Sequence, residues 1–210
     1  MRITWGYIFL IFLGCRHLAQ VIITRSHKPG HGKEWLSTAY LGGSHVICAL
    51  YAFMALEQRP FPDVIQLTGF GVIILSLILR FTALVQLGNN FSYQLRIAQD
   101  HELITHGVYA RLRHPLHVAF LGEVLGMAML SMHPVALLVT VGLVPVILYR
   151  NRQEDNALKE RFGEKFSRYR AITPSMIPCF LLSKPHHPGG ESTSPGESQS
   201  INKRKKQKKP

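Results

Sequence analysis

Thiols and acids are both scarce in this chain. Its three cysteines, Cys15, Cys48 and Cys179, are odd in number and show no Cys-x-x-Cys spacing, and two fall inside apolar runs. A disulfide framework and a thiolate metal site are thereby excluded. Charged residues make up only 17% of the 210 positions against 47% hydrophobic, a balance set by long apolar runs that identifies an integral membrane protein. No small-residue cleavage site follows the first run, Trp5 to Ile23, and Arg16, His17 and Gln20 stand within it, so it reads as a retained span and not a signal peptide. No internal repeat is visible. Twelve Asp and Glu face twenty-four Lys and Arg, for a net charge of +12. That excess does not call for nucleic acid: the segment Ser183 to Pro210 alone carries seven basic residues against two Glu, or +5, and most of the remainder lies in loops, where membrane topology puts it. This terminal segment, with PHHPGG, SPGES and KRKKQKK, has the composition of a disordered tail.

The apolar runs are Trp5 to Ile23, Leu36 to Leu56, Val64 to Leu87, Leu116 to Ser131 and Val135 to Tyr149. A hydrocarbon core of ~30 Å takes about 20 helical residues, so the first three suffice alone and the last two are short. The short pair is expected to form a hairpin turning at His133 and Pro134, with Arg113 and Arg150 flanking it symmetrically. The predicted fold is an all-α polytopic bundle of about five transmembrane helices, ending in this hairpin and carrying a site on the cytoplasmic face. Arg25, Lys28 and Lys33 mark one loop and Arg96, Arg111 and Arg113 another, while the loop between them has only Arg59. Lys and Arg accumulate on the cytoplasmic side, which sets the N-terminus outside and the C-terminus in the cytoplasm. The chain divides into a three-span region (1–87), a catalytic region (88–182) and a basic tail (183–210).

Two arginines break the apolar pattern. A charge at mid-span costs ~2.5 to 3.5 kcal/mol, so Arg16 should pair with an acid, and Glu123 is the candidate. Arg80 either snorkels to the interface or joins an ion pair. Gly122 and Gly126 form a G-x-x-x-G spacing suited to close helix packing, as do Gly42, Gly43 and Ser44.

Chemistry concentrates in HELITHGVYARLRHPLH (101–117) and RNRQEDNALKERFGEKFSRY (150–169), which the hairpin would return to one membrane face. Gly107 permits a turn and Pro115 suits a first helical turn, which sets His114 at a helix N-terminus. Amide groups there, with His114 and Tyr109, suit a polar ligand, although an interfacial anchor belt uses the same residue types. Arg150 and Glu154 are spaced to share a helix face, as a surface pair or as a fork in which the guanidinium takes an anionic group and the carboxylate a cationic or hydroxylated one. Asp155 adds negative charge. His114 and His117, with His101 and His106 nearby, raise the question of zinc, but no third ligand has convincing spacing, so no metal is expected.

The combination of HELITHGVYARLRHP, R-x-x-x-E-D-x-x-L, FGEKFSRY and a closing Ile177-Pro178 resembles the isoprenylcysteine carboxyl methyltransferase family, from about Leu87 to Pro178, and more broadly the membrane phospholipid methyltransferases. The resemblance implies methyl transfer from S-adenosylmethionine to an isoprenylcysteine-like carboxylate or similar lipophilic acceptor, in the endoplasmic reticulum or a bacterial inner membrane. Position by position it implies cofactor contacts at His101, Glu102, Leu103, Ile104, Tyr109, His114, Pro115, Leu116, His117 and Glu154, with Gln94 a further possibility. It also implies that Arg150 contacts the substrate and that Arg150 and Glu154 serve catalysis. The chain departs from the family at His117, where a Tyr is usual, and at Asp155, where a second Glu is. Competing readings are a phospholipid amine N-methyltransferase, a nicotinamide-dependent membrane reductase, and a non-catalytic scaffold or transporter whose tail touches anionic lipid.

Overall fold

The computed structural model describes residues 4–24, 35–58, 61–88 and 102–176. Every regular element among them is helical: α1 (Trp5–Thr24), α2 (Trp35–Glu57), α3 (Val64–Leu87), a 3-10 turn (Gly107–Ala110), α4 (Pro115–Ser131) and α5 (Pro134–Ile172). α1 to α4 coincide with four of the expected runs to within a residue at each end, and α5 contains the fifth. α2, α3 and α5 are long and apolar enough to cross a membrane. α1 has 20 residues and α4 has 17, and at 1.5 Å per residue α4 rises only ~26 Å. Large apolar side chains project outward along the bundle, among them Ile11, Leu18, Val46, Leu75, Val85 and Leu138, as expected where lipid and not water is the surroundings.

Glycine brings α3 and α4 together. A methyl group on Gly69 would stand 2.8 Å from the carbonyl oxygen of Gly126, and one on Gly122 would strike the Ser76 hydroxyl. The Gly122/Gly126 spacing therefore serves backbone contact between two helices. Gly42 and Gly43 do not: a methyl group on either meets nothing within 4 Å.

The hairpin forms where expected. Met132 closes α4 in the left-handed conformation (φ 49°, ψ 24°), and His133 caps α5 by accepting from the Val135 amide, with Pro134 in the first turn. The extent of α5 is a departure from expectation. Its helix continues well past Tyr149, then breaks at Gly163 (φ 53°, ψ −122°), a conformation that glycine adopts without strain. Asp155 and Arg170 would stand ~22 Å apart on a straight helix, yet Arg170 Nε lies 3.8 Å from an Asp155 oxygen. The chain thus folds back at Gly163 and returns its last turn to the end of the bundle where α4 begins.

Both intramembrane arginines are paired. Glu123 of α4, only 2% exposed, lies between them: Arg16 Nη2 of α1 donates to Oε2 at 2.6 Å, and Arg80 Nε of α3 donates to Oε1. The Arg80 guanidinium also lies 5.8 Å from the Phe120 ring centre. The Arg16–Glu123 pair is the one expected, and of the two fates open to Arg80 the structure shows the ion pair.

Candidate active site

His114 is the centre of the site. It precedes α4 as its N-cap residue, 3% exposed, and the two acidic neighbours on α5 take one ring nitrogen each. Nδ1 lies 3.1 Å from Glu154 Oε2 and Nε2 lies 3.0 Å from Asp155 Oδ1. His117, one turn into α4, places Nδ1 3.9 Å from the same Glu154 oxygen. The hairpin therefore brings the histidine segment and the acidic segment to the same end of the bundle.

Protonation follows from this geometry. Burial alone would push the His114 pKa down, but hydrogen bonds to Asp155 and Glu154 outweigh it and raise the value to about 9. Lost solvation likewise opposes ionisation of the buried Asp155 and the part-exposed Glu154, yet His114, joined for Asp155 by Arg113, holds both carboxyls below their ordinary values. The Tyr109 and Tyr169 phenols are pushed well above theirs by burial, so they remain protonated donors.

A clamp surrounds this core. Arg113 pairs with Asp155 and donates through Nε to the Thr173 carbonyl at 2.8 Å. The Arg113 and His114 amides donate to the carbonyls of Pro174 and Ser175 at 2.9 and 3.1 Å. The Tyr169 hydroxyl donates to the Tyr109 carbonyl at 2.6 Å. On the other side, Gln86 of α3 accepts from the Val108 amide at 2.8 Å and holds the 3-10 turn. Gly107 (φ 62°) opens that turn, and a side chain there would collide with Gln86.

The expected site residues are distributed unevenly. His114, His117 and Glu154 meet directly, Pro115 is buried behind His114 in the first turn of α4, Leu116 is half-buried beside it, and Tyr109 is buried in the 3-10 turn. Leu103 and Ile104 are half-buried and Glu102 exposed in the irregular segment ahead of that turn. His101 and Gln94 lie outside the described residues. Arg150, 9% exposed, donates through Nη1 to Ser37 Oγ at 2.8 Å and Thr38 Oγ1 at 3.2 Å. It is thus presented from the α2 side of α5, while Glu154 faces His114.

The sequence reading missed Arg113 as the partner of Asp155, the returning segment 169–175, and the two hydroxyls that orient Arg150. Gly163 within a helical pattern, and the Ser37-Thr38 pair at the head of an apolar run, were the available signals. It also missed a third donor beside the two histidines. Nitrogen and oxygen atoms of His114, His117 and Glu154 lie within 4.8 Å of one another, close enough for a metal ion. An ion there would have to displace the His114–Glu154 hydrogen bond, however, and each imidazole nitrogen already meets a carboxylate.

Comparison with known proteins identifies the family. The model of the isoprenylcysteine carboxyl methyltransferase family matches residues 67–160. Protein-S-isoprenylcysteine O-methyltransferase B of Arabidopsis thaliana is 33% identical over 187 residues, covering 84% of this chain and 93% of the plant protein. The Schizosaccharomyces pombe protein-S-isoprenylcysteine O-methyltransferase is 36% identical over 119 residues, and the match spans 55% of this chain but only half, 50%, of that relative. The solved structure of a eukaryotic intramembrane Ras methyltransferase shares the fold, with a TM-score of 0.56 at 22% identity over 82% of this chain and 64% of that one. Sequence identity sustained over most of its length, together with the shared membrane fold, shows that the chain belongs to the isoprenylcysteine carboxyl methyltransferase family.

Proposed function

We propose that the protein is an integral-membrane methyltransferase that transfers the methyl group of S-adenosylmethionine to the carboxylate of a prenylated cysteine, free or at the end of a protein. The observation that carries this reading is the contact between His114 and Glu154, which joins the family's two polar segments into one site. The named relatives are isoprenylcysteine O-methyltransferases, and the acceptor is carried over from them.

The donor set suits the cofactor. Glu154 is the one carboxylate of the cluster with substantial exposure, 40% of its side chain against 9% for Asp155, so it can meet the ammonium or ribose hydroxyls of S-adenosylmethionine. Tyr109, His117 and the segment 102–104 are positioned to complete that contact, with His101 assigned by the resemblance. When bound, the cofactor supplies a methyl group already activated on a sulfonium.

The protein's part is alignment. Arg150, oriented by Ser37 and Thr38, would bind the acceptor carboxylate and aim its oxygen at the methyl group that the cofactor would supply. No proton moves. The electrostatics favour such an acceptor over an amine: Glu154 is held below the ordinary carboxylate range and is a weak base, burial lowers the His117 pKa to about 4 and makes it a weak base too, and His114 is already protonated. The lipophilic portion of the acceptor would lie among the outward apolar faces of the bundle. The excess of Lys and Arg in the loops supports a site on the cytoplasmic side.

Purified protein incubated with radiolabelled S-adenosylmethionine, a farnesylcysteine analogue and phosphatidylethanolamine tests the proposal. Base-labile label on the farnesylcysteine analogue is expected. Label on phosphatidylethanolamine alone would overturn the carboxyl assignment. Arg150→Ala should lower transfer by about 30-fold or more, the loss expected when a buried hydrogen-bonded charge loses its partner, with affinity for S-adenosylmethionine within about twofold.

A further inference from the structure

Asp155 touches more of the site than any mechanism for methyl transfer requires. Neighbouring residues on a helix point ~100° apart, yet Glu154 and Asp155 both reach His114 because the ring lies between them, one nitrogen to each. A neutral imidazole has one N–H and one lone pair. With carboxylate oxygens at 3.1 and 3.0 Å on its two nitrogens, the neutral ring would turn its lone pair against one of them. Only the doubly protonated ring donates to both.

The two acids are not equivalent. Asp155 is buried, with one oxygen on His114 and the other on Arg113, and Arg170 lies 3.8 Å away. Through Arg113 it reaches the Thr173 carbonyl, beside which the returning chain accepts the Arg113 and His114 amides. Asp155 therefore joins the start of α4, the middle of α5 and the segment folded back beyond Gly163. That segment lies past residue 160, where the family match ends.

We propose that Asp155 is a positioning residue: it locks His114 as a donor on both ring nitrogens and so leaves Glu154 as the carboxylate turned toward the methyl donor. This rests on the functional reading above for the identity of that donor, but not for the lock itself. The groups that face His114 are Glu154 and Asp155 of α5 and His117 of α4. Arg113 and Arg170 act on it through Asp155, and the Tyr109 and Tyr169 phenols remain neutral beside the acids. Without the Asp155 charge, His114 would keep one carboxylate partner, lose its proton at lower pH, and then turn a lone pair to Glu154 or rotate away.

The test is a titration of histidine-labelled protein in detergent micelles by NMR, with His114 assigned by its Gln variant, on wild type, Asp155→Asn and Asp155→Glu. Wild-type His114 is expected to titrate near pH 9, Asp155→Asn to bind that proton at least tenfold more weakly, and Asp155→Glu to recover most of the affinity. The alkaline limb of methyl transfer should move with the His114 midpoint, and KM for S-adenosylmethionine should rise more than KM for the acceptor. A wild-type midpoint near the ordinary histidine value, or an Asp155→Asn variant that loses thermal stability with its His114 midpoint unmoved, would overturn the proposal. If Asp155→Asn does not fold, the wild-type and Asp155→Glu midpoints decide, and an ordinary value in wild type overturns it. The titration needs no methyl transfer, so failure to methylate any acceptor would sink the functional reading and leave the lock standing.

Discussion

Two carboxylates in this protein lie between cations, and they do different work. Glu123 sits inside the bundle between Arg16 and Arg80, three groups each less than a tenth exposed. Asp155 sits at the end of the bundle between Arg113 and His114, beside the open carboxylate of Glu154. Both cations of the inner cluster are arginines, which stay charged. The outer cluster contains a histidine and two acids, so its charge responds to pH and to a ligand. The difference shows how one fold separates a fixed fastening from an adjustable site, by choosing which cation the carboxylate meets.

The largest effect should come from breaking the inner cluster. Glu123→Gln removes the carboxylate shared by two buried guanidinium groups and should cost about 3 to 5 kcal/mol, read as a fall in thermal unfolding temperature in detergent. Replacing Arg16, Glu123 and Arg80 together by Met removes every charge at once and should restore most of that stability. A triple variant as unstable as Glu123→Gln would mean that the cluster does more than fasten α1, α3 and α4.

The outer cluster should respond to pH instead. His114 has its pKa raised to about 9 from an ordinary 6.5, so its contribution to stability is complete below 6.5 and is lost as pH climbs through about 9. Asp155 and Glu154 are lowered from ordinary values of 3.8 and 4.5, so theirs is complete above those values and is lost on acidification through the lowered ones. Burial lowers the His117 pKa from 6.5 to about 4, so its contribution is complete above 6.5 and is lost as pH falls toward 4. Unfolding temperature should therefore be highest near pH 6.5 and decline on both sides. In Asp155→Asn the alkaline decline should begin earlier, while Glu123→Gln should keep the wild-type alkaline midpoint at a lower overall level.

The smallest effect belongs to the exposed pair Arg168–Glu164, 3.0 Å apart with side chains 80% and 78% exposed. Glu164→Gln should change stability by less than about 0.5 kcal/mol and leave both pH limbs in place. It is the control that separates buried charge from charge as such.

The legible parts of the structure were those governed by local chemistry. Apolar run lengths placed the five helices, Pro115 placed a helix start, and the hairpin turned at His133 and Pro134 as expected. Arg16 found Glu123 because an acid inside an apolar helix has few partners to choose from. The invisible parts depend on contacts between segments distant in sequence. Nothing local to Arg113 indicates that it reaches Asp155 and the Thr173 carbonyl, because those contacts follow from the reversal at Gly163, which the sequence marks only by a glycine within a helical pattern. Similarly, Ser37 and Thr38 read as ordinary polar residues at a helix start until α2 packs against α5 and sets their hydroxyls on Arg150.

The central claim is that the hairpin joins His114 and Glu154 into one methyl-donor site, and calorimetry of S-adenosylmethionine binding in detergent, on wild type and Glu154→Ala, tests it most directly. A saturable heat in wild type, with affinity at least about tenfold weaker (~1.4 kcal/mol) in the variant, is the expected result. Equal affinities, or no heat from folded wild-type protein, would contradict it.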